Sequence, residues 1–438
     1  MIIDKIFRLI NFSRAHKFYF LSPHVYAVGN CAEEIYYGLI MSKELNKKLF
    51  ILYSFDFPLL FKYKLTNKTL FNLQSEYIYE QNAFVNFLCK ILVTCIYLPL
   101  RIFSLLVKRI FGWRTHETYN FPRIGRDDLY LPKKTNKSEF LFNNVEKYNW
   151  NKQFSHDFHI THKNEFLDQK IMEIMGIPKN HKYVCVHVRE SGFRSDKGRR
   201  DYRNSDIFNY LKAFKEITSK NIWVVRMGDN TMKQLPKMDK VIDYPFTEHK
   251  SDSMDISLLK NCYFYIGCQS GIFDVAKLLN KPTLLVNMYN WTFGGTLHCN
   301  DRGLIKHIYS KKEKKFLSLE QILSGPIGWE IQDINNEVRD YLFFENTEDE
   351  ILNAVKEFFQ NLDKGISKVS NMQITVSEKI KRQADEIFSN NDRVITYDNS
   401  NVIEKYRMSS QATGNNGYLC NFYIENCWSE DNFFAPTS

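Results

Sequence analysis

Two hydrophobic rhythms alternate along the second half of the chain. Short, nearly continuous apolar runs recur at YVCVHV (183–188), IWVVRM (222–227), KVIDYP (240–245), YFYIG (263–267) and PTLLVN (282–287). Such runs are the pattern of strands buried on both faces, as in a parallel sheet. Between them, DIFNYLKAFKEIT (206–218), MDISLLKN (254–261) and IFDVAKLLN (272–280) place apolar residues three and four apart, which predicts helices. Asn204 or Ser205 is the expected N-cap of the first. Strands alternating with helices predict a doubly wound parallel sheet. The N-terminus has the same rhythm on a smaller scale. A strand over 17–28, a Gly29-Asn30 break, a helix over 32–45 and a strand over 49–55 make one β-α-β unit.

Residues 84–111, FVNFLCKILVTCIYLPLRIFSLLVKRIF, follow neither rhythm. Lys90, Arg101, Lys108 and Arg109 interrupt the apolar stretch before it reaches membrane-spanning length. Pro99 is expected to kink or split a helix there. The segment reads either as a pair of core helices or as a pair lying in the plane of a membrane surface. Arg114, Arg123, Arg126, Lys133 and Lys134 follow and favour an acidic membrane surface as partner through 84–134. Residues 112–165 lack periodicity and read as insertion and linker. TEDEILNAVKEFFQ (347–360) opens with Thr347 and Glu350, a capping box. Past about 390 the chain is polar and Asn/Ser-rich. The expected divisions are an N-terminal domain over 1–165 with 84–111 as its helical insertion, a second domain over 166–370, and a wrapping helix and polar tail over 371–438.

Composition narrows the classes. The chain has 438 residues, 44% hydrophobic and 25% charged, which excludes a wholly disordered chain and a polytopic membrane protein. Its net charge of +9 favours anionic partners. No zinc-finger or helix-turn-helix spacing and no aromatic-basic interleaving points to nucleic acid. Nine cysteines lack metal or redox spacing, and reduced thiols are expected. His156, His159 and His162 are three apart but read as a polar linker run, so no metal site is expected.

Candidate chemistry gathers where strands end, since open parallel sheets bind ligands beyond their carboxyl edges. The first strand runs into His187, Arg189, Glu190 and Gly192, then a loop with Arg194, Lys197, Arg199, Arg200 and Arg203. Guanidinium groups there suit a diphosphate, although a basic loop is also ordinary solvated surface. Strand 263–267 ends in Gly267, then Cys268, Gln269, Ser270 and Gly271 turn into a helix. That arrangement turns backbone N–H groups towards a phosphate, or is simply a turn. A third strand end carries Arg226, Gly228 and Asp229, and Asp229 is either a ribose contact or a turn former. His298 and Asp301 follow the last predicted strand and are weaker candidates for sugar or acceptor contacts.

HVRESGF (187–193), DYRNSDI (201–207), WVVRMGD (223–229), VIDYP (241–245), SDSMDISLL (251–259) and YFYIGCQSGIFDVA (263–276) occur in this order. Together they resemble bacterial glycosyltransferases of surface-polysaccharide clusters. They are more distantly similar to GT-B fucosyltransferases, the nodulation and protein O-fucosyltransferases. The resemblance is most specific over 183–320 and weaker through GNCAEEIYYG (29–38). It implies an α/β fold of GT-B type, with two Rossmann-like doubly wound domains facing a cleft. It implies that His187, Arg189, Ser270 and Gly271 line the donor site; Gly192, Arg203, Arg226, Gly228, Asp229, Asp255 and Gln269 are further candidate donor contacts. Arg189 would hold the diphosphate. Asn30 would touch the acceptor, and Glu33 or Glu34 would be the base, unless both are ordinary first-turn helix acids. Glu190 is a further candidate base.

The implied activity is metal-independent, inverting transfer from a nucleotide-sugar donor to a glycan or lipid-linked acceptor, in O-antigen or capsule synthesis, with no cofactor. The expected place is the cytoplasm, peripheral on the inner face of the cytoplasmic membrane. A non-catalytic nucleotide-sugar-binding scaffold of an assembly complex is the alternative.

Overall fold

The computed structural model describes residues 18–23, 27–53, 55, 66–111, 160–162, 165–190, 201–291, 300–324, 340–363, 369–390, 393–396, 403–406 and 417–429. The described residues fall into two compact units that divide between Leu167 and Asp168.

In the N-terminal unit, β1 (Phe18–Leu21), α1 (Val28–Glu44) and β2 (Lys48–Ile51) make the expected β-α-β crossover, with β1 and β2 parallel. Helix α1 begins earlier than its periodicity suggests, so Gly29 and Asn30 lie in its first turn rather than in a break before it. Among the described residues this sheet has two strands, fewer than a complete Rossmann-like domain. A short antiparallel pair, β3 (Leu73–Gln74) and β4 (Thr161–His162), completes the described strands. Residues 83–111 form one helix, α2 (Ala83–Phe111), and Pro99 does not split it. Proline removes one N–H bond to the carbonyl four residues back. Here both Pro99 and Cys95 are exposed, so the released carbonyl stays accessible to a solvent partner.

Helix α3 (Glu165–Ile174) crosses the division, and the C-terminal unit is then built on one sheet. Its strands are β5 (Lys182–His187), β6 (Ile222–Arg226), β7 (Val241–Asp243), β8 (Tyr265–Gly267), β9 (Thr283–Met288), β10 (Arg302–Ile305) and a last strand, Tyr418–Leu419. All neighbouring pairs are parallel. The spatial order is β7-β6-β5-β8-β9-β10, with Tyr418–Leu419 beyond β10. Counted along the chain this is 3-2-1-4-5-6-7, the doubly wound order, which reverses direction between β5 and β8. Burial explains the continuous apolar runs: Tyr183 to Val186, Val224, Val225 and Leu284 to Val286 are covered on both faces.

Helices α4 (Leu211–Ser219), α5 (Asp252–Asn261) and α6 (Gly271–Leu278) fill the expected connections. The first is preceded by a 3₁₀ turn, Ile207–Tyr210, capped by Asp206 rather than Asn204 or Ser205. Its carboxylate accepts from Phe208 N at 3.1 Å. Three antiparallel strands, β11 (His307–Ser310), β12 (Lys315–Phe316) and β13 (Tyr341–Phe344), form a side sheet. Helix α7 (Leu319–Ser324) lies between β12 and β13, and α8 (Glu348–Asp363) and α9 (Asn371–Asn390) follow β13. The capping box is present: Thr347 N donates to Glu350 Oε2 at 2.8 Å, and Glu350 N to Thr347 Oγ1 at 3.2 Å.

The tail is not peripheral to this fold. Antiparallel strands β14 (Arg393–Thr396) and β15 (Ile403–Tyr406) precede β16 (Tyr418–Leu419), the edge strand of the main sheet. Helix α10 (Asn421–Cys427) follows and anchors it, with Cys420 N donating to Gly303 O at 3.2 Å.

Candidate active site at the sheet's switch point

His187 and Gly267 are the last residues of β5 and β8 and face each other in register, where the sheet order reverses. The sheet leaves a crevice at such a point. A Cβ on Gly267 would lie 2.6 Å from the His187 carbonyl oxygen and 2.4 Å from the Tyr265 hydroxyl, so only glycine fits the close approach. Beyond the strands, Arg189 N donates to Cys268 Sγ at 3.1 Å and ties the two loops together. Ser270 Oγ lies 3.0 Å from His187 Nδ1. Burial, and next the charge of Arg226, lowers the His187 pKa to about 3, so its imidazole is neutral. Ser270 is the N-cap of α6. The first backbone N–H groups of α6, at Gly271 and Ile272, and the positive end of the helix dipole therefore sit at the crevice, while Phe273 N donates to Ser270 O at 3.1 Å.

Three cationic side chains converge here. Arg189, half-buried, donates through Nη1 to the Asn204 side-chain oxygen. Lys306, buried just past β10, donates to the Asn204 backbone oxygen at 2.5 Å. Burial pulls its pKa below the usual lysine range. Arg203 donates to the Gln269 carbonyl at 3.2 Å, and its guanidinium lies 5.1 Å from the Tyr289 ring centre. The arrangement offers guanidinium, ammonium and helix N–H donors to one anion. The sequence reading missed Lys306. Its signal was a lysine closing the apolar pair Leu304-Ile305, in a segment not recognised as a strand.

Other proposed donor contacts are spent on the fold. Arg226 is wholly buried; it bonds Asp243 at 2.9 Å, Glu190 at 3.4 Å and the Lys233 carbonyl at 2.7 Å. Glu190 also accepts from Lys233 N at 2.9 Å. Arg226 and Glu190 are thus paired with each other within the fold. Gly228 has φ +143, and a Cβ there would lie 2.2 Å from Met232 Sδ, so the glycine serves the backbone. Asp229 forms a local turn, accepting from Thr231 N at 2.8 Å. Asp255 is held by Tyr244 at 2.8 Å and by Lys250, fastening α5 to the loop before it. Gln269 is buried and bridges Asn290 and Tyr289 N. Asp301 accepts from Thr283 N at 2.8 Å at the start of β9 and β10, the opposite edge of the sheet from the crevice. Gly192, His298 and the basic loop residues Arg194, Lys197, Arg199 and Arg200 lie outside the described residues.

In the N-terminal unit, Glu34 is wholly buried and Glu33 half-buried. Because α1 starts at Val28, both occupy its second turn, not its first, and Asn30 is half-buried near its start. Among the described residues, one group brings metal-ligating atoms within 4.8 Å of one another: His307, Glu350 and Cys427. Its carboxylate is taken up by His307 at 2.9 Å and by the capping box.

No family model matches the chain, and no curated protein does. Among solved structures, a glycosyl transferase family 9 protein from Veillonella parvula DSM 2008 aligns at 9% identity, covering 78% of this chain and 96% of its own, with a TM-score of 0.44. The E. coli ADP-heptose lps heptosyltransferase II aligns at 11% identity over 79% of this chain and 99% of its own, also at 0.44. The dodecameric iron-containing heptosyltransferase TibC, in complex with ADP-D-beta-D-heptose, aligns at 12% identity over 43% of this chain, with a TM-score of 0.25. The aligned region spans about half of TibC, 48% of its length. The fucosyltransferase similarity finds no support in these three. Likeness at this level establishes neither a common fold nor a common activity.

Proposed function

We propose that the chain is a glycosyltransferase whose C-terminal unit holds the diphosphate of a nucleotide-sugar. Arg189, Arg203 and Lys306 and the first turn of α6 bind it. The observation that carries this reading is their convergence at the switch point between β5 and β8. The acceptor is a glycan or lipid-linked glycan of the cell surface. Its hydroxyl oxygen attacks the anomeric carbon, and the bond from that carbon to the diphosphate oxygen breaks with its electron pair. The cationic cluster stabilises the departing diphosphate, and transfer inverts the anomeric centre without a metal. A carboxylate takes the acceptor's proton as its hydroxyl attacks. Neutral His187 orients Ser270 beside the phosphate.

Thermal unfolding with GDP, UDP, CDP, ADP, dTDP and CMP, with and without chelator, tests the reading. One nucleotide should stabilise the chain by about 2.7 kcal/mol at a hundred times its Kd. Chelator should leave the shift intact, and Arg189→Ala should remove it. No shift with any nucleotide overturns the donor site. A shift that survives Arg189→Ala places binding elsewhere.

A further inference from the structure

Helix α2 turns its apolar side the wrong way for a core helix. Val85, Cys89 and Val93 pack inward against Phe50 and Leu52. The Phe87 ring also meets Phe55 edge-on at 5.8 Å between centroids, and the remaining inward ties are polar or cationic. Asn82 caps Val85 N at 2.8 Å, Asn86 donates to the Tyr53 hydroxyl at 3.1 Å, and Thr94 accepts from Phe55 N at 3.2 Å. Lys90 lies over the Tyr53 ring at 4.6 Å.

The large side chains face outward: Phe84 is 69% exposed, Phe87 52%, Leu88 47%, Ile91 39% and Leu92 39%. Their spacing of three and four makes one continuous stripe over more than two turns, and Cys95 and Pro99 extend it. Exposed apolar area on this scale marks an interaction surface. Charge indicates what covers it. Between 84 and 111 the chain has four basic residues and no acid. No helix among the described residues is long and apolar enough to cross a membrane.

We propose that α2 docks on an anionic lipid surface, lying in its plane with the Phe84–Leu92 stripe sunk among the acyl chains. The basic, acid-free sequence of 84–111 favours an anionic over a neutral lipid surface. This rests on α2 alone and holds whether or not the C-terminal unit is a transferase.

The test is flotation of the full chain with vesicles of phosphatidylcholine alone or with about 30% phosphatidylglycerol. The chain should float with the anionic vesicles, and binding should fall about tenfold between about 0.05 and 0.5 M salt. The quadruple variant Phe84→Ser, Phe87→Ser, Leu88→Ser, Leu92→Ser should lose at least about tenfold in vesicle binding while melting within about 2 °C of the parent. Failure of the parent to float overturns the proposal. So does a sharp fall in melting temperature of the variant, which would make the stripe part of the core. A parent dimer that the variant converts to monomer, with neither binding vesicles, would assign the stripe to a second copy.

Discussion

Arg189 and Arg226 stand at the carboxyl ends of adjacent parallel strands and do opposite work. Arg226 ends β6, is wholly buried, and lies between the carboxylates of Asp243 and Glu190. Arg189 lies two residues past β5, half-buried, with its guanidinium on the neutral amide of Asn204. The first closes a charge balance inside the protein. The second adds positive charge to a crevice that already holds Arg203, Lys306 and a helix N-terminus. A strand end makes an arginine a candidate ligand contact; the carboxylates brought to it by other segments decide whether it is one.

The contrast is broken most severely at Arg226. Arg226→Ala should cost about 3–5 kcal/mol, because it strands two carboxylates that the fold has partly desolvated. Arg189→Ala should cost under about 1 kcal/mol and act on nucleotide binding instead. Urea unfolding of both variants checks the difference, and equal losses would erase the distinction drawn here.

Gly267→Ala tests the geometry that holds the two loops together. The added methyl meets the His187 carbonyl at 2.6 Å, a backbone atom that cannot swing aside. Overpacking of this kind should cost about 1–3 kcal/mol and weaken nucleotide binding as β5 and β8 separate. An unchanged melting temperature would show that the strand ends have slack.

A further effect is in pH dependence. His187 has a folded-state pKa of about 3 against an ordinary 6.5. On acidification the unfolded chain therefore takes up the proton first. Stability is unaffected by His187 above about pH 6.5 and is lost as pH falls from there towards 3. At up to about 1.4 kcal/mol per pH unit, the parent should lose about 2 kcal/mol more than His187→Gln between about pH 7 and pH 5. Parallel profiles would mean that the imidazole is not held neutral.

The C-terminal sheet was legible because its strands are buried on both faces, and that burial demands uninterrupted apolar runs. The crevice loops were legible for a topological reason, since parallel strands present their carboxyl ends on one side. The misses share a cause. The carboxylates that pair with Arg226, Asp243 and Glu190, lie 17 and 36 residues away along the chain, beyond any local pattern. Asp301 seemed to follow the last strand because β10, with its buried Arg302 and Gly303, was not recognised. Recognising β10 moves Asp301 to the opposite edge. Tyr418–Leu419 joins the sheet through backbone bonds, which leave no mark on side-chain pattern.

The sequence by itself determined the alternation of strands and helices, the capping box at Thr347 and Glu350, the cluster of basic residues around 189–203, and the apolar, acid-free character of 84–111. These are local properties, set by which side chains a short segment must bury or solvate. Only the tertiary structure decided that Lys306 joins Arg189 and Arg203, that Glu190 neutralises Arg226, and that α2 faces its large apolar residues outward. Those outcomes depend on contacts between segments far apart in the chain. Burial raises the energetic weight of each such contact, and no spacing along the sequence records which ones form.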